Sequence, residues 1–81
     1  MTLNQFNALS EQQRYYTVWN EGVNIAHRTT DVYKFFLYQI DAFYVEIQYD
    51  STINNVISIQ SFSDVSQLEP YLDQIKLPKL D

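Results

Sequence analysis

Cysteine is absent from this chain, glycine occurs once and proline twice. Without cysteine, neither a disulfide nor a thiolate metal site can brace the fold, so stability has to come from packing. A single glycine rules out a Gly-rich phosphate loop, and so little glycine and proline leaves no flexible linker. Basic residues are also scarce. Five Lys and Arg are scattered among ten Asp and Glu, for a net charge of −5, which excludes an electrostatic grip on nucleic-acid phosphates. The opening Met-Thr-Leu-Asn-Gln-Phe-Asn has no basic leader, and no apolar run is long enough to span a bilayer. The expectation is a cytoplasmic protein that makes no membrane contact.

What the chain has in quantity is aromatic side chain. Tyr33–Tyr49 alone holds Tyr33, Phe35, Phe36, Tyr38, Phe43, Tyr44 and Tyr49. Hydrophobic residues make up 46% and charged residues 19%, a globular balance, and 81 residues suffice for one small domain. Residues 1–81 therefore read as a single α+β domain, with an N-terminal turn over 1–9 and a short tail over 76–81.

The order of elements follows from changes of period. Residues 3–8 suit a helical turn that brings Leu3 and Phe6 onto the core. Ser10-Glu-Gln-Gln13 is a capping box. Tyr15, Val18, Trp19 and Gly22 then recur at one helix face, so the spacing predicts a helix over 10–21 with Trp19 buried and Gly22 as a left-handed stop. A buried tryptophan there implies a cost of about 3–5 kcal/mol for Trp19→Ala.

From Val23 the period is two. Strands are predicted over 23–28, 31–40, 43–50 and 56–62, with turns at Thr29-Thr30 and Asp41-Ala42 and a polar loop over 51–55. The last helix starts from Ser66 as N-cap, which keeps Pro70 close to its first turn, and carries Leu68, Leu72 and Ile75 as its apolar stripe. A start at Asp64 is the alternative. The expected architecture is a four-stranded antiparallel meander with the N-terminal and C-terminal helices packed on one face.

Opposed residues of an antiparallel pair share a face. A turn at Asp41-Ala42 opposes Ile40 to Phe43, Tyr38 to Val45, Phe36 to Ile47 and Lys34 to Tyr49, and that face belongs to the core. A one-residue slip would mix Glu46 and Gln48 into the core set, so this register is well determined. A Thr29-Thr30 turn sets Val23 against Phe36 and Ile25 against Lys34 on the same face, with Ala26 against Tyr33 outside. In the fourth strand Ile57 and Ile59 face Tyr49 and Ile47. The other face then carries Tyr33, Phe35, Leu37, Tyr44 and Phe62 in the open. Rings on an open sheet face stabilise strands by cross-strand contact, but Phe35 and Leu37 lack tyrosine's polar tip. These five are the candidate partner-contact residues.

Catalytic chemistry finds little support. His27, the sole histidine, is followed by Thr29, Thr30 and Asp31, which serve a turn more economically than a catalytic group. The acidic residues show no ligand spacing for calcium or magnesium. No enzyme, metal or cofactor is expected.

The segments Leu37-Tyr-Gln-Ile-Asp-Ala-Phe-Tyr-Val-Glu-Ile47, Ser61-Phe-Ser63 and Leu68-Glu-Pro-Tyr-Leu-Asp-Gln-Ile75 resemble a group of small bacterial proteins. That group shares LYQ–FYVEV, SFS and LEPYL-type segments behind a helix ending of WExG type, here Trp19-Asn-Glu-Gly22 with the glutamate one place later. The resemblance covers most of residues 9–75. No function is assigned to the group, so it implies a domain outline and no active site. Asp41-Ala42 departs from a glycine-containing turn, which leaves the turn type open but not the register.

The functional expectation is a small protein-interaction or accessory module that meets a protein partner or a second copy of itself through a sheet face or edge. The alternative is a small acidic inhibitor of the immunity type, motivated by size and negative charge. An edge role rests on the fourth strand. Ser51–Ser63 contains no charged residue, and the strand shows no lysine, proline or evident bulge to protect it. Against this stands a tail over 76–80 folded back on that edge.

Overall fold

The computed structural model describes residues 1–75. Two short helices, α1 (Leu3–Asn7) and α2 (Glu11–Glu21), precede β1 (Val23–Thr29), β2 (Tyr33–Ile40), β3 (Phe43–Asp50) and β4 (Asn55–Phe62), and a 3-10 helix, η1 (Val65–Tyr71), follows. The strands form one antiparallel sheet in the order β1-β2-β3-β4. The fold is α+β.

Both N-terminal helices start at capping boxes. Ser10 Oγ accepts from the Gln13 amide while the Gln13 side chain accepts from the Ser10 N–H, and Thr2 and Gln5 repeat the arrangement for α1. These helices cover what we call the front of the sheet. Phe6 and Val18 meet Ile40, Phe43, Val45 and Ile47 there, with Leu3, Leu9 and Tyr15 packed around them. The β2–β3 hairpin has the expected register throughout. Its positive φ falls on Asp41, a residue that tolerates the left-handed region, and the Asp41 carboxylate takes the N-terminal ammonium at 2.7 Å.

The C-terminal element departs from expectation in place and in type. It does not join α1 and α2 on the front; Leu68 and Tyr71 pack on the back, over Ala26, Leu37 and Phe62. Phe62 points to the back as the last residue of β4, so the chain leaves the sheet on the side whose apolar residues still lack a cover. Asp64 rather than Ser66 is the N-cap and accepts the Ser66 amide at 2.9 Å. Three residues per turn bring Leu68 and Tyr71 to one line and turn Leu72 outward, and the interior Pro70 suits a short 3-10 segment better than an α-helix. The Lys76–Leu80 tail lies outside the described residues.

Two bulges shift the outer strands. The first loop uses Thr30–Val32, with the Thr30 hydroxyl accepting the Tyr33 amide, and β1 carries an extra residue at Ile25. Ala26 therefore opposes Leu37, His27 opposes Phe36, and Val23 opposes Gln39, four or fewer places from the expected partners. Ile25 consequently packs with the back cluster rather than the front. The Asn24 side-chain amide donates to the Ala26 and Leu37 carbonyls beside the irregularity. In β4, Ile59 opposes Ile47 as expected, but a bulge at Ile57 brings Val56 against Tyr49 and leaves Ile57 outside.

Trp19 is not buried. It stays 58% exposed, with its ring edge-on to Tyr38 at 6.0 Å between ring centres. Val18 and Thr17 take the buried line of α2, and the Thr17 hydroxyl donates to the Gln13 carbonyl. Trp19→Ala is expected to cost about 0.5–1.5 kcal/mol, the worth of an aromatic pair rather than of a core anchor. Urea midpoints of the two proteins measure this. Gly22 also serves differently from its expected left-handed role. Its backbone is extended, and an added Cβ would lie 2.6 Å from the Val18 carbonyl oxygen, so glycine is needed there for close approach.

Candidate functional site

The five residues expected on an open face do share the back of the sheet, but they are not open. Leu37 is 0% and Phe62 8% exposed beneath η1, and Phe35, Tyr44 and Tyr33 are half-buried. Tyr44 stacks on Phe62 at 5.6 Å, and Tyr33 sets its edge to Phe35 at 6.2 Å. The apolar density of this face therefore belongs to a second small core.

A polar group is set into that core. Arg28, from β1, lays its guanidinium 3.8 Å from the centre of the Phe35 ring and 5.6 Å from that of Tyr71. Its Nη2 lies 3.7 Å from Glu46 Oε2, which also accepts the Tyr71 hydroxyl at 2.5 Å. One carboxylate on the central strand thus ties β1 and η1 together. Burial, reinforced by the Glu46 carboxylate and partly offset by Arg28, pushes the Tyr71 phenol well above the ordinary tyrosine range. Burial also raises Tyr15 and Tyr38. A tyrosine held protonated in the folded state stabilises it up to the unfolded pKa near 10 and loses that stabilisation as pH rises further, because the unfolded chain releases the proton first. Stability should fall from about pH 10 upward, and Tyr71→Phe should flatten that slope. Urea midpoints taken at neutral and alkaline pH would check this.

The sheet edges are unlike each other. A two-residue turn makes Ile40–Phe43 a hydrogen-bonded pair, and antiparallel alternation then directs the peptide groups of Tyr44, Glu46 and Gln48 toward β4. Phe62, Gln60 and Ser58 answer them, so the N–H and C=O groups of Ile59 and Ser61 face outward. The same counting turns the His27 peptide outward on β1. There the Gln74 side chain grips it, accepting from the His27 N–H at 3.0 Å and donating to its carbonyl at 2.6 Å. A glutamine amide imitates a neighbouring strand and occupies the β1 edge at His27. On β4 no described residue hydrogen-bonds the outward backbone; the nearby contact is from the Ser61 hydroxyl to the Asn7 side chain. Exposed Ile57 lies on the same strand and exposed Ile53 in the loop before it.

The remaining candidates carry less. A shallow depression at the start of η1 is lined by Asp64, Val65, Ser66, Glu69 and Leu72, with Asp64 already committed to its capping bond. Carboxylates elsewhere are also engaged: Asp50 holds the Thr52 amide and hydroxyl, which lower its pKa, and Asp41 holds the N-terminus. His27 offers its backbone to Gln74, and among the described residues no group of three metal-ligating side chains converges. No helix among the described residues is long and apolar enough to cross a membrane. Comparison with protein-family models, with curated proteins and with solved structures finds no match for this chain.

Proposed function

We infer that this chain is a small protein-interaction module that recruits a partner by strand addition at the β4 edge. The contrast between the two edges carries this reading. Gln74 holds the outward His27 peptide of β1 with two hydrogen bonds, whereas the outward Ile59 and Ser61 peptide groups of β4 meet no described residue, on a strand without charge. The expectation of a strand without a bulge does not hold, since the bulge at Ile57 breaks the start of this edge; the regular stretch Ser58–Phe62 beyond it is the part that can act as a template for another strand. With the back of the sheet under η1, the edge is the better-supported form of the face-or-edge expectation. The acidic-inhibitor alternative has less behind it, since Glu46, Asp41, Asp50 and Asp64 are all occupied by contacts within the chain.

A photo-reactive amino acid at Ile57, expressed in cells, tests the module. Ile57 is 45% exposed beside the edge, and Val65, exposed on η1, is the control position. The expected result is discrete protein adducts from Ile57 that the Val65 probe does not give. Equal or no adducts from Ile57 would overturn the reading.

A further inference from the structure

We propose that the strand added at β4 is the β4 of a second copy, paired antiparallel about a two-fold axis at Gln60. This inference rests on the strand-addition reading and names its occupant. Three observations select a second copy. The first is register. Ile59 and Ser61 are the outward residues of the regular stretch after the bulge, so a two-fold at Gln60 opposes Ile59 to the other copy's Ser61 and Ser61 to its Ile59. Each of those pairs exchanges N–H and C=O bonds, and the two Gln60 residues meet as the non-hydrogen-bonded pair between them.

The second observation is charge. The protein as a whole is acidic, which opposes self-association, but Ser51–Ser63 contributes nothing to that charge. The nearest carboxylate across from Gln60 is Glu46, one strand inward and already satisfied by Arg28 and Tyr71. In the paired sheet the two Glu46 side chains stand three strand spacings apart, about 14 Å, beyond the screening length of roughly 8 Å at physiological salt.

The third is closure. The bulge at Ile57 interrupts the regular edge, so pairing is confined to Ser58–Phe62. The outer strands of the combined eight-stranded sheet would both be β1, and Gln74 occupies each of them at His27. With β1 occupied at His27 and the regular stretch of β4 unoccupied among the described residues, pairing through β4 gives an isologous dimer, whereas two equally open edges would give a filament. So short a contact is expected to be weak and reversible, with dissociation in the range of about 10 μM to 1 mM.

The absence of cysteine from the chain makes a direct test available. Non-hydrogen-bonded antiparallel partners have Cα atoms about 4.5 Å apart, within reach of a disulfide. Gln60→Cys is expected to oxidise to a covalent dimer at least tenfold faster than Val65→Cys under the same mild oxidant. Sedimentation of the full chain should show a concentration-dependent dimer that Gln60→Glu weakens at least tenfold by setting two carboxylates at the axis. Gln60 is exposed but opposes Glu46 within its own chain, so a urea midpoint for the variant close to that of wild type is the accompanying check that it remains folded. Gln74→Ala should extend the association beyond dimers by opening the second edge. A wild type that stays monomeric to about 1 mM, or a dimer indifferent to Gln60→Glu, overturns the proposal. If Ile57 then still crosslinks to other proteins, the module reading stands without the dimer; if it crosslinks to nothing, both fall.

Discussion

Replacing Tyr71 with alanine should destabilise the fold by about 3–5 kcal/mol, more than any single change to the conspicuous Trp19. Tyr71 is 0% exposed and combines three roles. Its ring fills the second cluster with Leu37, Leu68 and Phe62, it borders the Arg28 guanidinium, and its hydroxyl holds Glu46. Alanine removes the ring, leaves a cavity under η1, and withdraws one of the two contacts that stabilise a partly buried carboxylate. Domains of this size hold only about 4–12 kcal/mol in total, so much of the margin goes with one side chain. The melting temperature should fall by more than about 10 °C. Tyr71→Phe separates the roles, keeping the ring and losing only the bond to Glu46, for about 1.5–3 kcal/mol. A Tyr71→Ala protein melting within a degree or two of wild type would mean that η1 does not hold the back of the sheet.

The parts of the fold legible in the sequence are those where a local rule and burial agree. The β2–β3 register is one. Alternation over sixteen residues puts every polar member of the hairpin, except Lys34, on one side, and a slip would bury Glu46. The Ser10–Gln13 cap is another, because its chemistry is contained within four residues. The bulges at Ile25 and Ile57 are different in kind. Each inserts one residue without a compositional mark, so strict alternation carried through β1 and β4 assigned Ile25 and Ile57 to the front and Val56 to the back. The place of η1 did leave a trace. Pro70 disfavours an α-helix, Leu68 and Tyr71 are three residues apart, and Leu37 and Phe62 supplied apolar surface in need of a cover. Helices placed on a single face would leave those same two residues in the open, whereas Leu68 and Tyr71 cover them. The Gln74 clamp had no sequence signal at all, since it depends on where η1 brings the chain back against β1.

Leu37→Ser is the change on which the two views of the back face differ most. On an uncovered face it would be nearly neutral, like other exposed strand positions. Under η1 it removes the side chain at the centre of the second cluster, between Ala26 and Glu46 and beneath Leu68 and Tyr71. A buried leucine cut to alanine costs about 2–5 kcal/mol, and a serine hydroxyl in the same space adds roughly 1–3 kcal/mol unless it finds an acceptor. The expected total is about 3–8 kcal/mol. Phe35→Ser provides the internal comparison. Phe35 is larger but only half-buried, and what it chiefly loses is the guanidinium stacked 3.8 Å above its ring, so about 1–3 kcal/mol is expected. Burial of the whole side chain, and not its size, should decide the order. Urea denaturation followed by Trp19 fluorescence gives both midpoints, with equal m-values securing the comparison. If Phe35→Ser proves the more damaging, the second core does not exist in solution as described. If Leu37→Ser is the worse, the back of the sheet is interior, and partner binding is left to the edge of β4.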